Sequence, residues 1–180
     1  MRLRYSPVLL FVTLFYFSSC VENADFDQIN LDVEPVLITP LVFLELNQND
    51  FLDDTGTVEI ETLTDLTDLD AFQGALIQEN LLRVDFQFEI RNSFDRKFLI
   101  EIELLSSNNT ILYNFQPLQI ESGDRTYSSQ EVIRVDNNPN ILETSKVRVT
   151  ITLIPGSNIL DPDVQQSIEF RSTGRFYLRI

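Results

Sequence analysis

The chain has 180 residues, 13 of them basic and 28 acidic, with no histidine, no tryptophan and one cysteine. Hydrophobic residues make up 43% and aromatics 11%, enough for the core of one domain, so wholesale disorder is not expected. A formal charge of −15 repels nucleic acid and anionic head groups. The missing histidines and the single thiol exclude His-based triads, His or Cys/His metal sites and internal disulfides.

The first seven residues, MRLRYSP, carry two arginines and a proline. VLLFVTLFYF, residues 8–17, is apolar except for Thr13. A bilayer core ~30 Å thick needs about 20 helical residues, so this stretch is too short to span and reads as the apolar region of a secretory signal. Phe17-Ser18-Ser19-Cys20 follows, and small side chains at 18 and 19 let an extended backbone enter a peptidase groove. This junction resembles the lipobox of bacterial lipoproteins. The resemblance implies cleavage between Ser19 and Cys20, removal of residues 1–19, a diacylglycerol on the Cys20 sulfur and acylation of the new amino terminus. Phe17 stands where that family usually has leucine. Each buried CH₂ contributes ~0.8 kcal/mol, so two or three acyl chains hold a protein in a membrane far longer than one. The alternative is an ordinary secretory leader with an incidental cysteine.

Residues 20–34 hold Glu22, Asp25, Asp27, Asp32 and Glu34 and no basic residue. They read as a hydrated tether. They are also similar to the acidic segment behind the lipidated cysteine of lipoproteins that some Gram-negative bacteria export to the cell surface. The expected address is therefore the Gram-negative envelope, lipid-anchored in the outer membrane, with the surface favoured over the periplasmic face.

Residues 35–180 read as a β-domain. VLITPLVFLEL is an apolar strand bent or broken at Pro40, and Asp54-Thr55-Gly56 makes a turn before a short strand. TDLTDLDAFQGAL spaces Leu66, Leu69, Phe72 and Leu76 three or four apart, which predicts a short helix capped by Thr64 or Asp65. LLRVDFQFEIRN alternates without error, Leu82 to Ile90 on one face and Arg83 to Arg91 on the other, as a half-buried antiparallel strand must. Further strands are predicted at 98–104, at ILYNF before Pro117, at RTYSSQEVIRV near an edge, at KVRVTITLI and at QSIEFRSTGRFYLRI, the last bent at Gly174. SFDR, SSNNT and Ser122-Gly123-Asp124 make turns; the sequon at Asn108 belongs to turn chemistry. NNPNILETS predicts a helical turn capped by Asn140 with Glu143 three residues on. The fold expected is all-β: an antiparallel two-sheet sandwich, immunoglobulin-like, of about seven strands with one or two short helical turns. An eight-stranded outer-membrane barrel is the rival, and too few segments reach the length it needs.

Carboxylates are the plentiful reactive groups. Asp50, Asp53 and Asp54 are expected in one loop, Asp65, Asp68 and Asp70 in a second, and Asp161 and Asp163 in a third; such oxygens could bind Ca²⁺, but none has a calcium-loop spacing. Glu89, Glu101 and Glu103 are expected on polar strand faces. Phe86, Phe88, Phe98 and Phe176 are expected in the core, while Tyr113, Tyr127 and Tyr177 are candidates for rings open to a sugar or protein. No catalytic residue, metal site or cofactor is assigned. The functional expectation is a lipid-anchored, non-enzymatic interaction or scaffold module meeting an envelope protein or glycan. The alternatives are a small carboxylate-based glycan hydrolase and a ligand-free spacer.

Overall fold

The computed structural model describes residues 34–156, 159–161 and 163–179. Ser19, Cys20 and the tether up to residue 33 lie outside them. Strand β1 (Val36–Asn47) opens the described chain, followed by β2 (Thr62–Asp68), helix α1 (Ala75–Asn80), β3 (Leu81–Asn92) and β4 (Phe98–Leu105). Then come β5 (Ile111–Asn114), β6 (Leu118–Ile120), β7 (Tyr127–Arg134), β8 (Lys146–Leu153) and β9 (Ser167–Leu178).

The period-two pattern decides where each strand's side chains go. In β3 Val84, Phe86, Phe88 and Ile90 are buried, and in β8 Val147, Val149, Ile151 and Leu153 are buried between half-buried neighbours. Burying one face of a strand demands a second layer, and two antiparallel sheets supply it for each other. One sheet has the order β1-β9-β3-β7; the other has β2-β8-β4-β5, with β6 on β4 beside β5. Their inner faces enclose a phenylalanine-rich core. Phe115 stands edge-on to Phe86 and Phe88 at 4.9 and 5.1 Å, and Phe72 to Phe176 at 5.1 Å. The four core phenylalanines expected from the pattern are all buried.

The two-sheet sandwich is as expected, and its connectivity specifies it further. β5 and β6 pair with opposite ends of β4, interrupted at Phe115-Gln116-Pro117, and so act as one edge strand broken at the proline. Counted as one strand, they give an eight-strand jelly roll, in which each sheet draws alternately from both halves of the chain. An immunoglobulin domain orders its seven strands differently. β9 is the pivot, lying between β1 and β3 with Leu46 opposite Ile168 and Val84 opposite Phe176.

Several local expectations are corrected. Residues 64–68, expected to open a helix, belong instead to strand β2, which pairs with β8 from Thr62–Thr152 to Asp68–Lys146. Asp65 therefore lies mid-strand, apart from Asp70, and the three aspartates do not share a loop. The helical turns come later, as a 3₁₀ turn at Asp70–Phe72 and then α1. The turn at Pro139–Glu143 is capped by Asn138 rather than Asn140, because proline suits the first helical position, and no side-chain cap bond forms. A capping box does occur at Asn47, whose side chain accepts from Asn49 N while Asp50 accepts from Asn47 N at 2.7 Å. β9 runs through Gly174 with no register shift against β3. A Cβ there would meet the Phe176 ring at 2.7 Å and Leu41 at 3.1 Å, so the glycine makes room for packing. The irregularity sits across the pair in β1, where the register shifts between Pro40 and Val42.

Candidate functional site

Antiparallel pairing brings four loops to one end of the sandwich: residues 48–61, 93–97, 121–126 and the described residues of 154–166. β1 ends there opposite the start of β9, Asn47 facing Ser167, and β4 begins there opposite the end of β8, Phe98 facing Leu153. The four loops carry ten acidic residues and three basic ones.

Beneath them lies an aromatic floor. Phe51 from the first loop, Phe94 from the second and Phe98 at the start of β4 are buried, with ring centroids 5.1 to 5.8 Å apart. Asn92, fully buried at the end of β3, donates to the carbonyls of Arg96 and Glu121, both at 2.8 Å, and accepts from Phe94 N at 2.9 Å. One amide thus fixes the turn on which Arg96 is carried.

Arg96 ties the loops together. Its Nη1 and Nη2 donate to the two carboxylate oxygens of Glu59 at 3.0 and 3.2 Å, and its Nε and Nη2 donate to the Ile154 carbonyl at 3.0 and 2.9 Å. Glu59 also accepts from Leu160 N at 2.9 Å. Three loops therefore meet at one ion pair whose side chains are largely withdrawn from water. Arg96's hydrogen bonds hold the Glu59 carboxyl below its ordinary range, against the opposing effect of burial. Gly156 leaves room for the guanidinium, since a Cβ there would lie 2.6 Å from Nε.

Beside this tie opens a cleft of about 450 Å³, walled by Gln48, Asp95, Arg96, Leu160, Asp161 and Gln166, with Ile159 and Val164 at its apolar side. Gln166 Nε2 donates to Asp95 Oδ1 at 3.2 Å, and Asp163 N donates to Asp161 Oδ1 at 3.0 Å. Gln48 is buried; its Nε2 donates to the Asp161 carbonyl, and its Oε1 has no hydrogen-bond partner.

The residues singled out from sequence fall in different places. Asp161 lines the cleft. Asp53 organises its own loop, accepting from Thr55 Oγ1 at 2.8 and 2.9 Å and from Thr57 N and Val58 N, and these bonds hold its carboxyl below its ordinary range. Glu89 and Glu101 are exposed, whereas Glu103 pairs with Arg148 at 2.5 Å. Among the described residues no three His, Cys, Asp or Glu side chains gather closely enough to hold a metal. The three tyrosine rings are half-buried and engaged. Tyr113 donates to Glu131 at 2.5 Å, Tyr127 packs against the core, and the Arg83 guanidinium lies 3.7 Å over Tyr177. Arg83 is also 2.8 Å from Asp85, although Nε and Oδ1 are misaligned for a hydrogen bond and only Nη2 donates, at 3.3 Å. Gln48, Asp95 and Arg96 were not singled out in the sequence. An arginine among acid-rich loops is the one signal that points to them.

No family model matches the chain, and no curated protein matches it. Among solved structures it is similar to a protein from Parabacteroides distasonis described as secreted, with 11% identity and a TM-score of 0.48. That likeness covers 64% of this chain and only 38% of the other. It is also similar to Triatoma virus (12% identity, TM-score 0.42, 92% of this chain and 73% of that one). The infectious bursal disease virus VP2 subviral particle gives 12% identity and a TM-score of 0.41 over 82% of this chain and 33% of that one. No helix among the described residues is long and apolar enough to cross a membrane.

Proposed function

We propose that this is a lipoprotein of the Gram-negative envelope, anchored in the outer membrane through Cys20. Residues 1–19 are its removable signal, residues 20–34 its tether, and the jelly roll of residues 35–180 a non-enzymatic interaction module that meets an envelope protein or glycan. The observation that carries the reading is the order of basic segment, ten-residue apolar stretch and Ser18-Ser19, ending on the chain's one cysteine. The domain suits such an anchor. β1 carries the chain from Val36 at one end to Asn47 at the loop end, and at ~3.3 Å per residue its twelve residues span roughly 40 Å. The chain thus enters the domain at the end opposite the cleft. The test is metabolic labelling: wild type takes up labelled palmitate and partitions into detergent, and Cys20→Ala does neither. Equal labelling of both ends the proposal.

A second reading, a carboxylate-based glycan hydrolase, has one observation in its favour, the presence of Asp95 and Asp161 on one cleft. Turnover of an envelope glycan that is lost in both Asp95→Asn and Asp161→Asn would establish it.

A further inference from the structure

We infer that β1 pairs antiparallel with β1 of a second copy of this chain, joining two four-stranded sheets into one of eight strands about a two-fold axis. The inference goes beyond the anchored-module reading and needs no lipid on Cys20. β1 is an edge of its sheet. Among the described strands the other edges are guarded: β7 carries Glu131 and Arg134, β2 carries Asp65 and Asp68, and the edge made by β5 and β6 is broken at Pro117. From Val36 to Leu44, β1 has no charged residue, and Val36, Leu37, Ile38 and Phe43 are exposed. A long apolar edge of this kind is a template for another strand.

Hydrogen bonding fixes which backbone groups lie on the open side. Leu178 N donates to Pro35 O, so Pro35, Leu37 and Thr39 face β9. Val42 N donates to Ser172 Oγ and Gln48 N to Gln166 O, so Val42, Leu44 and Leu46 face β9 beyond the register shift. The open side therefore belongs to Val36, Ile38 and Pro40 before the shift and to Phe43 and Glu45 after it. Outward groups must meet outward groups, so each half of β1 pairs with the other half of its copy. An axis between Pro40 and Leu41 sets Ile38 opposite the second copy's Phe43, and Val36 opposite its Glu45, each twice. Ile38 and Phe43 keep 60% and 57% of their surface, more than any other apolar residue of β1, and this register covers both. Pro40, which has no N–H, falls at the axis, where the two shifts meet. The next registers either way bring Glu34 against Glu45 or Pro40 against Phe43, a like-charge pair or a lost donor.

Charge favours the same register. Within one chain Glu45 stands opposite Glu169. Arg175 stands opposite Asp85, which is committed to Arg83, and it enters no ion pair among the described residues. In the pair, the second copy's Glu45 lies beside Val36, two strands and one side-chain step from Arg175. That is about 12 Å between Cα atoms, within the joint reach of an extended glutamate and arginine. A strand of another protein meets the same open groups, but nothing makes it offer apolar residues and a carboxylate in matching order.

The experiment is sedimentation equilibrium of residues 20–180 carrying Cys20→Ala, so that neither acylation nor the native thiol plays a part. Concentrations run to about 0.5 mM, enough to show a transient dimer. The mass is expected to rise with concentration from one chain toward two and no further, because a two-fold contact closes on itself. Ile38→Lys should raise the dimer dissociation constant at least about tenfold. Oxidation reads the register: Ile38→Cys/Phe43→Cys should give a disulfide-linked dimer. Neither single variant should, because in this register each position lies roughly 15 Å from its own copy. A monomer across the whole range overturns the inference and leaves the edge to a strand of another protein. A mass rising past two chains, a dimer that Ile38→Lys leaves unchanged, or equal cross-linking in the single cysteine variants also overturns it. Sedimentation of the chain with β1 intact decides the matter even if a β1 variant fails to fold.

Discussion

Arg96 grips Glu59 with both arms of its guanidinium, at 3.0 and 3.2 Å, and the residues come from different loops, 37 positions apart. The fork reaches a third loop through the Ile154 carbonyl, so one side chain fixes the shape of the cleft wall. Removing either partner strands the other where little water reaches it. Arg96→Ala is expected to cost about 2–4 kcal/mol, below the full value for a deeply buried pair. By thermal unfolding that corresponds to a fall of roughly 5–15 °C in Tm. Arg96→Lys, which loses the bidentate geometry, should recover only part of it.

The same pair sets a pH dependence. Glu59 titrates below its ordinary value of 4.5 when folded, so its contribution is present above that value and disappears as pH falls through the lower, folded-state value. Melting curves between pH 7 and pH 3 should show Glu59→Gln less stable than wild type at neutral pH. The gap should close in acid, and a gap constant with pH would contradict the assignment.

Gly156→Ala tests the tie from its other side. A methyl placed 2.6 Å from Arg96 Nε forces the guanidinium off Glu59, and about 1–3 kcal/mol of stability should go with it. The double variant with Arg96→Ala should lose clearly less than the sum of the single losses, because the methyl then has nothing to displace. Additive losses in denaturant melts would show that the glycine matters for a different reason.

Tyr113 offers a spectroscopic check on the broken edge strand. Burial, and then its bond to Glu131, push its hydroxyl up to about 12. Absorbance titration of the folded protein should show the late ionisation of Tyr113, moved earlier in Glu131→Gln. The raised value favours the neutral phenol, so its stabilising effect is complete below pH 10 and is lost only as pH climbs through the folded-state value.

Gly174→Ala should destabilise by about 1–3 kcal/mol through overpacking against Phe176 and Leu41. Leu41→Ala added to it should recover only part of this, since the Phe176 ring is the closer obstacle.

Strands that bury one face were legible, because a buried face writes itself into the sequence as alternation; β3, β4 and β8 follow directly. β2 was hidden for the converse reason. As an edge strand it turns Leu63 toward the core and leaves Leu66 half exposed, and its Thr62 and Thr64 hydroxyls stand 3.3 Å from those of Thr152 and Thr150. Leucines at 63, 66 and 69 then mimic a helical spacing that means nothing in a strand. Strand order could not be read at all, since alternation says which residues face inward but not which strand lies alongside. The cleft was half visible: Asp161 stood out as an acid beside a proline, while Arg96 sat in a tetrapeptide legible only as a turn. Its role depends on Glu59 and Ile154, which the fold alone brings to it.

The central place of β9 has a temporal consequence. It is made last of the nine strands, yet it separates β1 from β3, and Val36 at the start of the domain sits opposite Tyr177 near its close. A ribosome must therefore release all nine of these strands before β1 can join that sheet, and until then the apolar edge of β1 stands open to sticky misencounters. A nonsense codon anywhere before residue 167 would leave a sheet without its middle rather than a slightly shorter protein.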